Sequence, residues 1–166
     1  ANKQEGDSHW TSQKNLALTI ISADCLPILG LSDNHIFAVH AGWRGIRSNI
    51  LSETLATVYG TEKSRSDVGL FIGPHIFKNS FEVGLDVAEK LVSVANNSFQ
   101  FSHLTNKKKA HIDLFEITKL QAAAAGIEAD SIYNFGQNTY TNQEYASYRR
   151  DGPNAGRQIS FICRIS

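Results

Sequence analysis

The sequence contains no methionine, two cysteines and three prolines. Methionine is missing even at position 1, so the chain is expected to be a piece of a longer translation product, or a processed or trimmed form. The two cysteines, Cys25 and Cys163, are too few for the disulfide framework that staples small secreted domains. Cys25 follows an aspartate at a turn and Cys163 falls in an alternating strand pattern, so both read as free thiols in a reducing compartment. Neither sign of charge is in excess, since sixteen Lys and Arg face sixteen Asp and Glu. That balance gives no global field for nucleic acid or an anionic membrane, and any anion must be held by a local site. No apolar run approaches the ~20 residues that cross a bilayer, and the polar start Ala1-Asn2-Lys3-Gln4-Glu5-Gly6-Asp7 is not a signal peptide. The expectation is a soluble, cytoplasmic protein with no membrane and no nucleic-acid partner.

What is present suits one ordinary core. At 166 residues, 42% of them hydrophobic, the chain reads as a single domain over 1–166. Residues 1–15 are polar and without periodicity, which predicts a tail or loop. Short apolar runs rich in β-branched residues follow at Leu16–Ile21, Leu26–Leu31 and His35–His40, and each predicts a strand. Ser32-Asp33-Asn34 supplies turn chemistry between the second and third. Their continuous apolar character predicts burial on both faces.

Beyond the third strand, Ile46, Ile50, Leu51, Leu55 and Val58 have helical spacing, with Gly60 as terminator. Asp67–Ile72 predicts a strand that stops at Gly73-Pro74-His75, and Phe81–Gly84 a turn. Asp86–Ala95 has a helical stripe ended by Asn96-Asn97-Ser98. Ser102–Lys109 reads as a polar loop whose lysine run is a solvated surface rather than a binding patch. Asp113 reads as the N-cap of a helix striped by Leu114, Ile117, Leu120 and Ala124, with Gly126 past its end. A strand at Ser131–Phe135, a polar and aromatic stretch over Gly136–Ala155 and a closing strand complete the chain. In that last strand Ile159, Phe161, Cys163 and Ile165 share one face.

The chemistry concentrates between Ala23 and Gly45. If the apolar runs flanking Ser32-Asp33-Asn34 form an antiparallel hairpin, Cys25 and His40 meet at its open end although 15 positions separate them. A thiolate and an imidazole suit zinc, and a catalytic zinc needs a third protein ligand and an open position. The same pair also suits metal-free chemistry, with Cys25 as nucleophile and His40 as base. A buried cysteine beside a hydrogen-bonded histidine is the structural alternative. Arg44, between Gly42 and Gly45 at a helix N-terminus, is the best anion-binding candidate. Arg149 and Arg150 form a second guanidinium site, of which at most one faces the same cleft, because neighbours on an extended segment point opposite ways. His75 at a strand end and Glu82 are candidates for moving a proton. Trp43, Phe81, Tyr145 and Tyr148 could stack on a planar base. His9, His35, His103 and His111 lack supporting partners.

Six blocks in order carry a family resemblance: Ala23-Asp24-Cys25-Leu26-Pro27, His40-Ala41-Gly42-Trp43-Arg44-Gly45, Ile72-Gly73-Pro74, Phe81-Glu82-Val83-Gly84, Asp113-Leu114 and Ser147-Tyr148-Arg149-Arg150-Asp151-Gly152. Together they resemble the bacterial family named for multicopper polyphenol oxidase (laccase) or peptidoglycan editing factor. It includes purine nucleoside phosphorylase-type (YfiH-like) enzymes. The resemblance implies an α/β (α+β) fold in which two mixed β-sheets pack between helices, four layers in the order α/β/β/α. It implies zinc held by Cys25 and His40 plus a histidine from an earlier segment. It further implies phosphorolysis of adenosine, inosine or guanosine, with adenosine deaminase side activity. Arg44, Gly45, Tyr148 and Arg149 would then bind phosphate and nucleoside, with Cys25, His40, Arg44, His75 and Glu82 catalytic. Copper chemistry is disfavoured, since one cysteine and scattered histidines are too few ligands for a multicopper cluster.

Two departures bear on this reading. The glutamine-valine-histidine block that supplies the family's third zinc ligand has no counterpart, so residues 16–166 are expected to be a core lacking the N-terminal segment. Asn138-Thr139 stands where the family usually carries a cysteine-threonine pair. The alternatives are therefore a cysteine hydrolase acting on peptidoglycan precursors, and an inactive fragment or binding module.

Overall fold

The computed structural model of the chain describes residues 6–60, 65–95, 104–106 and 108–166. The expected helix terminator Asn96-Asn97-Ser98, and Ser102, His103 and Lys107 of the polar stretch, lie outside the described residues. Strands β1 (Ser8–Thr11), β2 (Ala17–Ser22), β3 (Leu26–Leu31) and β4 (Ile36–Ala41) come first. Helices α1 (Trp43–Arg47) and α2 (Ile50–Tyr59) precede β5 (Gly69–Ile72). A 3₁₀ turn at Lys78–Ser80 leads into β6 (Glu82–Gly84) and α3 (Leu85–Ser93). Then come β7 (Leu104–Asn106), β8 (Lys109–His111), α4 (Leu114–Ala124) and β9 (Ile132–Asn134). Helix α5 (Tyr148–Asp151) and β10 (Gln158–Cys163) close the chain.

The larger sheet has the order β1-β4-β3-β5-β9, antiparallel except for the parallel β5–β9 pair. Strand β4 lies inside it, and alternation sends its side chains into two cores. Phe37, Val39 and Ala41 join Leu26, Ile28 and Ile72 against Ile46, Leu51, Leu91 and Ile117 of the helices. Ile36 and Ala38 join Leu18 and Ile20 under the antiparallel β2–β10 ribbon. The continuous apolar run of β4 is thus buried on both faces, as its composition predicts, whereas β2, of which the same was expected, alternates buried and exposed and buries one face only. A third small sheet, β6-β8-β7, extends the helical side. The fold is α+β: helices, a mixed sheet and an antiparallel ribbon in successive layers.

Gly30 shows how closely these layers fit. It pairs with Phe37 across the β3–β4 ladder, and a Cβ added to it would lie 1.9 Å from Phe37 Cζ. The ring lies over the glycine, so Gly30→Ala forces a fully buried phenyl group from its place. Overpacking of this kind costs roughly 1–3 kcal/mol, and a urea unfolding curve should show that loss with an unchanged slope.

Several local expectations are corrected. Residues 8–11, read as tail or loop, form β1 at the sheet edge in register with 36–39 of β4. Backbone pairing holds that strand, and with Trp10 its one large apolar side chain there is no alternation to read. The single helix expected from Ile46 is two, because Asn49 adopts the left-handed conformation (φ 59°) between them, which asparagine tolerates better than most residues. The turn expected at Phe81–Gly84 is β6, and the loop expected over Ser102–Lys109 contains β7 and the start of β8. The shared face of Ile159 and Phe161 points outward: these residues are 63% and 66% exposed, whereas Ile162 packs on the second core. They border an apolar groove of about 570 Å³ with Phe71, Tyr133 and Phe135. Among the described residues, no helix is long and apolar enough to cross a membrane.

Candidate functional site

The β3–β4 hairpin does what its sequence predicts. Pro27 pairs with His40 and Leu26 with Ala41, so Cys25, one residue before β3, sits beside the end of β4. A Cβ added to Gly42 would lie 3.1 Å from Cys25 Sγ and 4.0 Å from His40 Cε1. A side chain there would press on the Cys25 sulfur while only touching the His40 ring, so the glycine keeps the thiol uncrowded.

Asp7, just ahead of β1, completes a row of three. Its Oδ1 lies 3.0 Å from His40 Nδ1, and its carbonyl accepts from the His40 backbone N–H at 2.7 Å. The His40 pKa is raised from 6.5 to about 9, chiefly by hydrogen bonding to Cys25, against the opposing effect of burial and with Asp7 assisting. In the metal-free chain, Cys25→Ser should therefore lower the His40 midpoint in an NMR titration more than Asp7→Asn does. The sign for stability follows: the favourable contribution is complete below 6.5 and is lost as pH rises through about 9.

Cys25 opens onto a cleft of about 470 Å³ walled by Trp43, Arg44, Phe81, Glu82, Tyr148 and Arg149. Seven residues singled out from sequence, Cys25, Trp43, Arg44, Phe81, Glu82, Tyr148 and Arg149, are thus brought together. The Arg44 guanidinium stacks 4.5 Å from the Trp43 ring centroid. Arg149 lies 5.4 Å from the Phe81 centroid and donates from Nη1 to the Glu82 carbonyl at 2.8 Å. The remaining Arg149 guanidinium N–H groups have no protein acceptor among the described residues. Glu82 is ion-paired with Lys109 at 2.8 Å.

Arg150 does not share this role. Its guanidinium donates to the carbonyls of Thr139, Tyr140 and Tyr145 and to Asp151, so it clamps the loop before α5. Gly45 is in α1, where an added Cβ would lie 3.2 Å from Ile50 Cγ2 and 3.5 Å from the His40 carbonyl; its place is in packing rather than on the cleft wall. Because α1 is only five residues long, its dipole adds less to anion binding than a long helix would. Helix geometry still leaves the N–H groups of Trp43, Arg44 and Gly45 without intrahelical acceptors.

His75 is not in the cleft. Ile76 lines the cleft, and the alternating backbone turns His75 into a separate cavity with Phe77 and Phe115. Burial pushes its pKa below the usual histidine value. Tyr145 lines the apolar groove instead of the cleft. His35 packs edge-on against Trp10 and Tyr59. His9 lies on β1 opposite Ala38, and His111 on β8 opposite Glu82. Both cysteines are free.

Two residues that position the site were not legible as such. Asp24, with φ 85°, is 8% exposed; its Oδ1 accepts from Thr139 Oγ1 at 2.7 Å and its Oδ2 from the Arg149 N–H at 2.6 Å. It ties the Cys25 turn to the start of α5, which Ser147 caps by accepting from the Arg150 N–H. Asn138, in place of the family's cysteine, bonds Ser80 Oγ and the Phe77 and Tyr140 N–H groups. The sequence signal for Asp24 was its position at a turn, where an aspartate tolerates a positive φ.

Cys25 and His40 are two metal donors of suitable type. Among the described residues, no three His, Cys, Asp or Glu side chains are grouped to hold an ion, and the nearby Asp7 is engaged by His40. The described residues do not complete a catalytic zinc site, which takes three protein ligands.

Comparisons agree with the fold and the hairpin. The family model described as multi-copper polyphenol oxidoreductase laccase matches residues 1–165. A purine nucleoside phosphorylase of Bacteroides thetaiotaomicron is 36% identical over 94% of this chain and 60% of its own length. Purine nucleoside phosphorylase YfiH of Escherichia coli is 31% identical over 98% of this chain and 65% of its own. The crystal structure of YlmD from Geobacillus stearothermophilus superposes with a TM-score of 0.87 at 28% identity, over 96% of this chain and 61% of that one. The chain therefore spans about 60–65% of the length of these curated relatives. With the matched blocks distributed along both the hairpin and the cleft, the chain belongs to the multi-copper polyphenol oxidoreductase laccase family.

Proposed function

We infer that the cleft binds a purine nucleoside and phosphate together and serves phosphorolysis: the C1′–N9 bond breaks, phosphate oxygen bonds C1′, and the purine leaves with a proton. The observation that carries this reading is the pairing of two guanidinium groups, Arg44 and Arg149, with the aromatic faces of Trp43, Phe81 and Tyr148 in one cleft. Planar aromatics suit the base and the cationic forks suit phosphate. Neutralising phosphate charge and holding it in line with the anomeric carbon is the principal contribution such residues make. Glu82, ion-paired with Lys109, would meet the ribose hydroxyls. The names of the relatives support this substrate class.

Cys25 and His40 would supply two donors to a zinc site. A third donor is needed to complete it. Adenosine deamination depends on that completed site. The test is incubation with inosine and phosphate, then with adenosine, in zinc and in chelator. Ribose 1-phosphate is expected; its absence under every metal condition would overturn the reading.

One observation favours a second reading. Cys25, His40 and Asp7 stand in the order nucleophile, base and orienting carboxylate, which suits a cysteine hydrolase acting on an amide, including one in a peptidoglycan precursor. Rapid alkylation of Cys25 that stoichiometric zinc does not slow would favour it over the metal site.

A further inference from the structure

The cavity beside His75 has no part in the phosphorolysis reading. His75 is 2% exposed, and its Nδ1 bonds the Gly73 carbonyl at 2.9 Å. A carbonyl can only accept, so the proton is on Nδ1 and Nε2 keeps a lone pair. Nε2 has no partner among the described residues. Among the described residues, the side-chain polar atoms sealed from solvent without a partner are Ser22 Oγ, Arg65 Nε and Gln158 Nε2. His75 Nε2 is not one of them, so its open side is the cavity of about 300 Å³ that the ring lines.

The walls indicate what would fit. Phe77 and Phe115 stand 5.0 and 6.0 Å from the His75 ring, centroid to centroid, both tilted toward it. Asp113 and Lys78 line the same space, and one Asp113 oxygen is engaged in capping α4. A nearly buried acceptor between aromatic walls complements a flat ring that presents an N–H. The volume is at the lower end of the roughly 300–1,000 Å³ typical of small-molecule sites, which favours a single heterocycle.

We propose that this cavity is a second small-molecule site, taking a neutral planar nitrogen heterocycle of the aminopurine or aminopyrimidine kind that donates an N–H to His75 Nε2. Burial of His75, working against its bond to Gly73 and the nearby Asp113 carboxylate, keeps the ring neutral and its lone pair available at neutral pH. The proposal stands independently of the chemistry in the Arg149 cleft.

Adenine is the probe. Titrated into ¹⁵N-labelled chain at neutral pH, it should shift the His75 imidazole nitrogens and the Phe77 and Phe115 ring signals together, and saturate. His75→Phe keeps a flat ring and removes the acceptor, and should weaken adenine binding about tenfold or more. Acidification that protonates His75 should weaken it likewise, a wild-type measurement that decides the matter if His75→Phe does not fold. Shifts confined to the Arg149 cleft, no saturable shift at His75, or equal affinity before and after His75 protonates would overturn the proposal.

Discussion

Asp24→Ala should lower the stability of the chain by about 3–5 kcal/mol and unseat one wall of the cleft. The carboxylate accepts from the Thr139 hydroxyl and the Arg149 N–H at 2.7 and 2.6 Å. Thr139 is fully buried, so alanine leaves its hydroxyl unpaired away from water. Asp24 also holds φ at 85°, and an alanine in that left-handed region costs roughly 1–2 kcal/mol more than it would elsewhere. Asp24→Asn keeps the shape and the tolerance for positive φ but has one acceptor oxygen, so about half the loss is expected. Urea unfolding of the two variants measures the difference. A loss below about 1 kcal/mol for Asp24→Ala would mean that other contacts seat α5.

Arg149→Ala should separate binding from stability. Its backbone bond to Asp24 survives, and the exposed guanidinium gives up only the Glu82 carbonyl and the Phe81 face. A stability change within about 1 kcal/mol is expected for an exposed group of this kind. The Michaelis constant for phosphate should instead rise about ten- to a hundredfold, the range for losing hydrogen bonds to a charged ligand. Arg149→Lys should recover little of this, because an ammonium restores the charge without the planar fork. Arg150→Ala should behave in the opposite way. Its guanidinium binds the carbonyls of Thr139, Tyr140, Asn142 and Tyr145 and the Asp151 carboxylate, so that variant should lose stability first. Equal phosphate constants in wild type and Arg149→Ala would remove Arg149 from the anion site.

The sequence was most informative where local chemistry and tertiary structure agree. The strands of the Cys25–His40 hairpin are continuous apolar runs around Ser32-Asp33-Asn34, and the pairing of Pro27 with His40 follows from that turn. Asp113 caps α4 as its position indicates, accepting from the Glu116 N–H at 3.1 Å. Strand β1 was not legible because its edge position needs no apolar alternation; what fixes it is backbone pairing and the Asp7–His40 contact. The break at Asn49 was hidden because apolar spacing continues across it. The site's supports were hidden for another reason: Asp24 meets Thr139 and Arg149 across more than a hundred residues, and no local pattern encodes such a contact. Likewise, the alternation expected of an extended segment does not apply to Arg149 and Arg150, which lie together in helix α5; the carbonyls around Arg150 are what hold it to the loop and leave the cleft to Arg149. The same alternation separates His75 from Ile76 and sends them into different cavities.

The most direct measurement is an NMR titration of the ¹⁵N-labelled chain with inosine and phosphate, followed at the Trp43 indole N–H and the Arg149 guanidinium Nε–H. The account predicts that inosine shifts Trp43, that phosphate shifts Arg149, and that each ligand tightens or leaves unchanged the binding of the other. Saturating inosine and phosphate that leave both signals unmoved would contradict it.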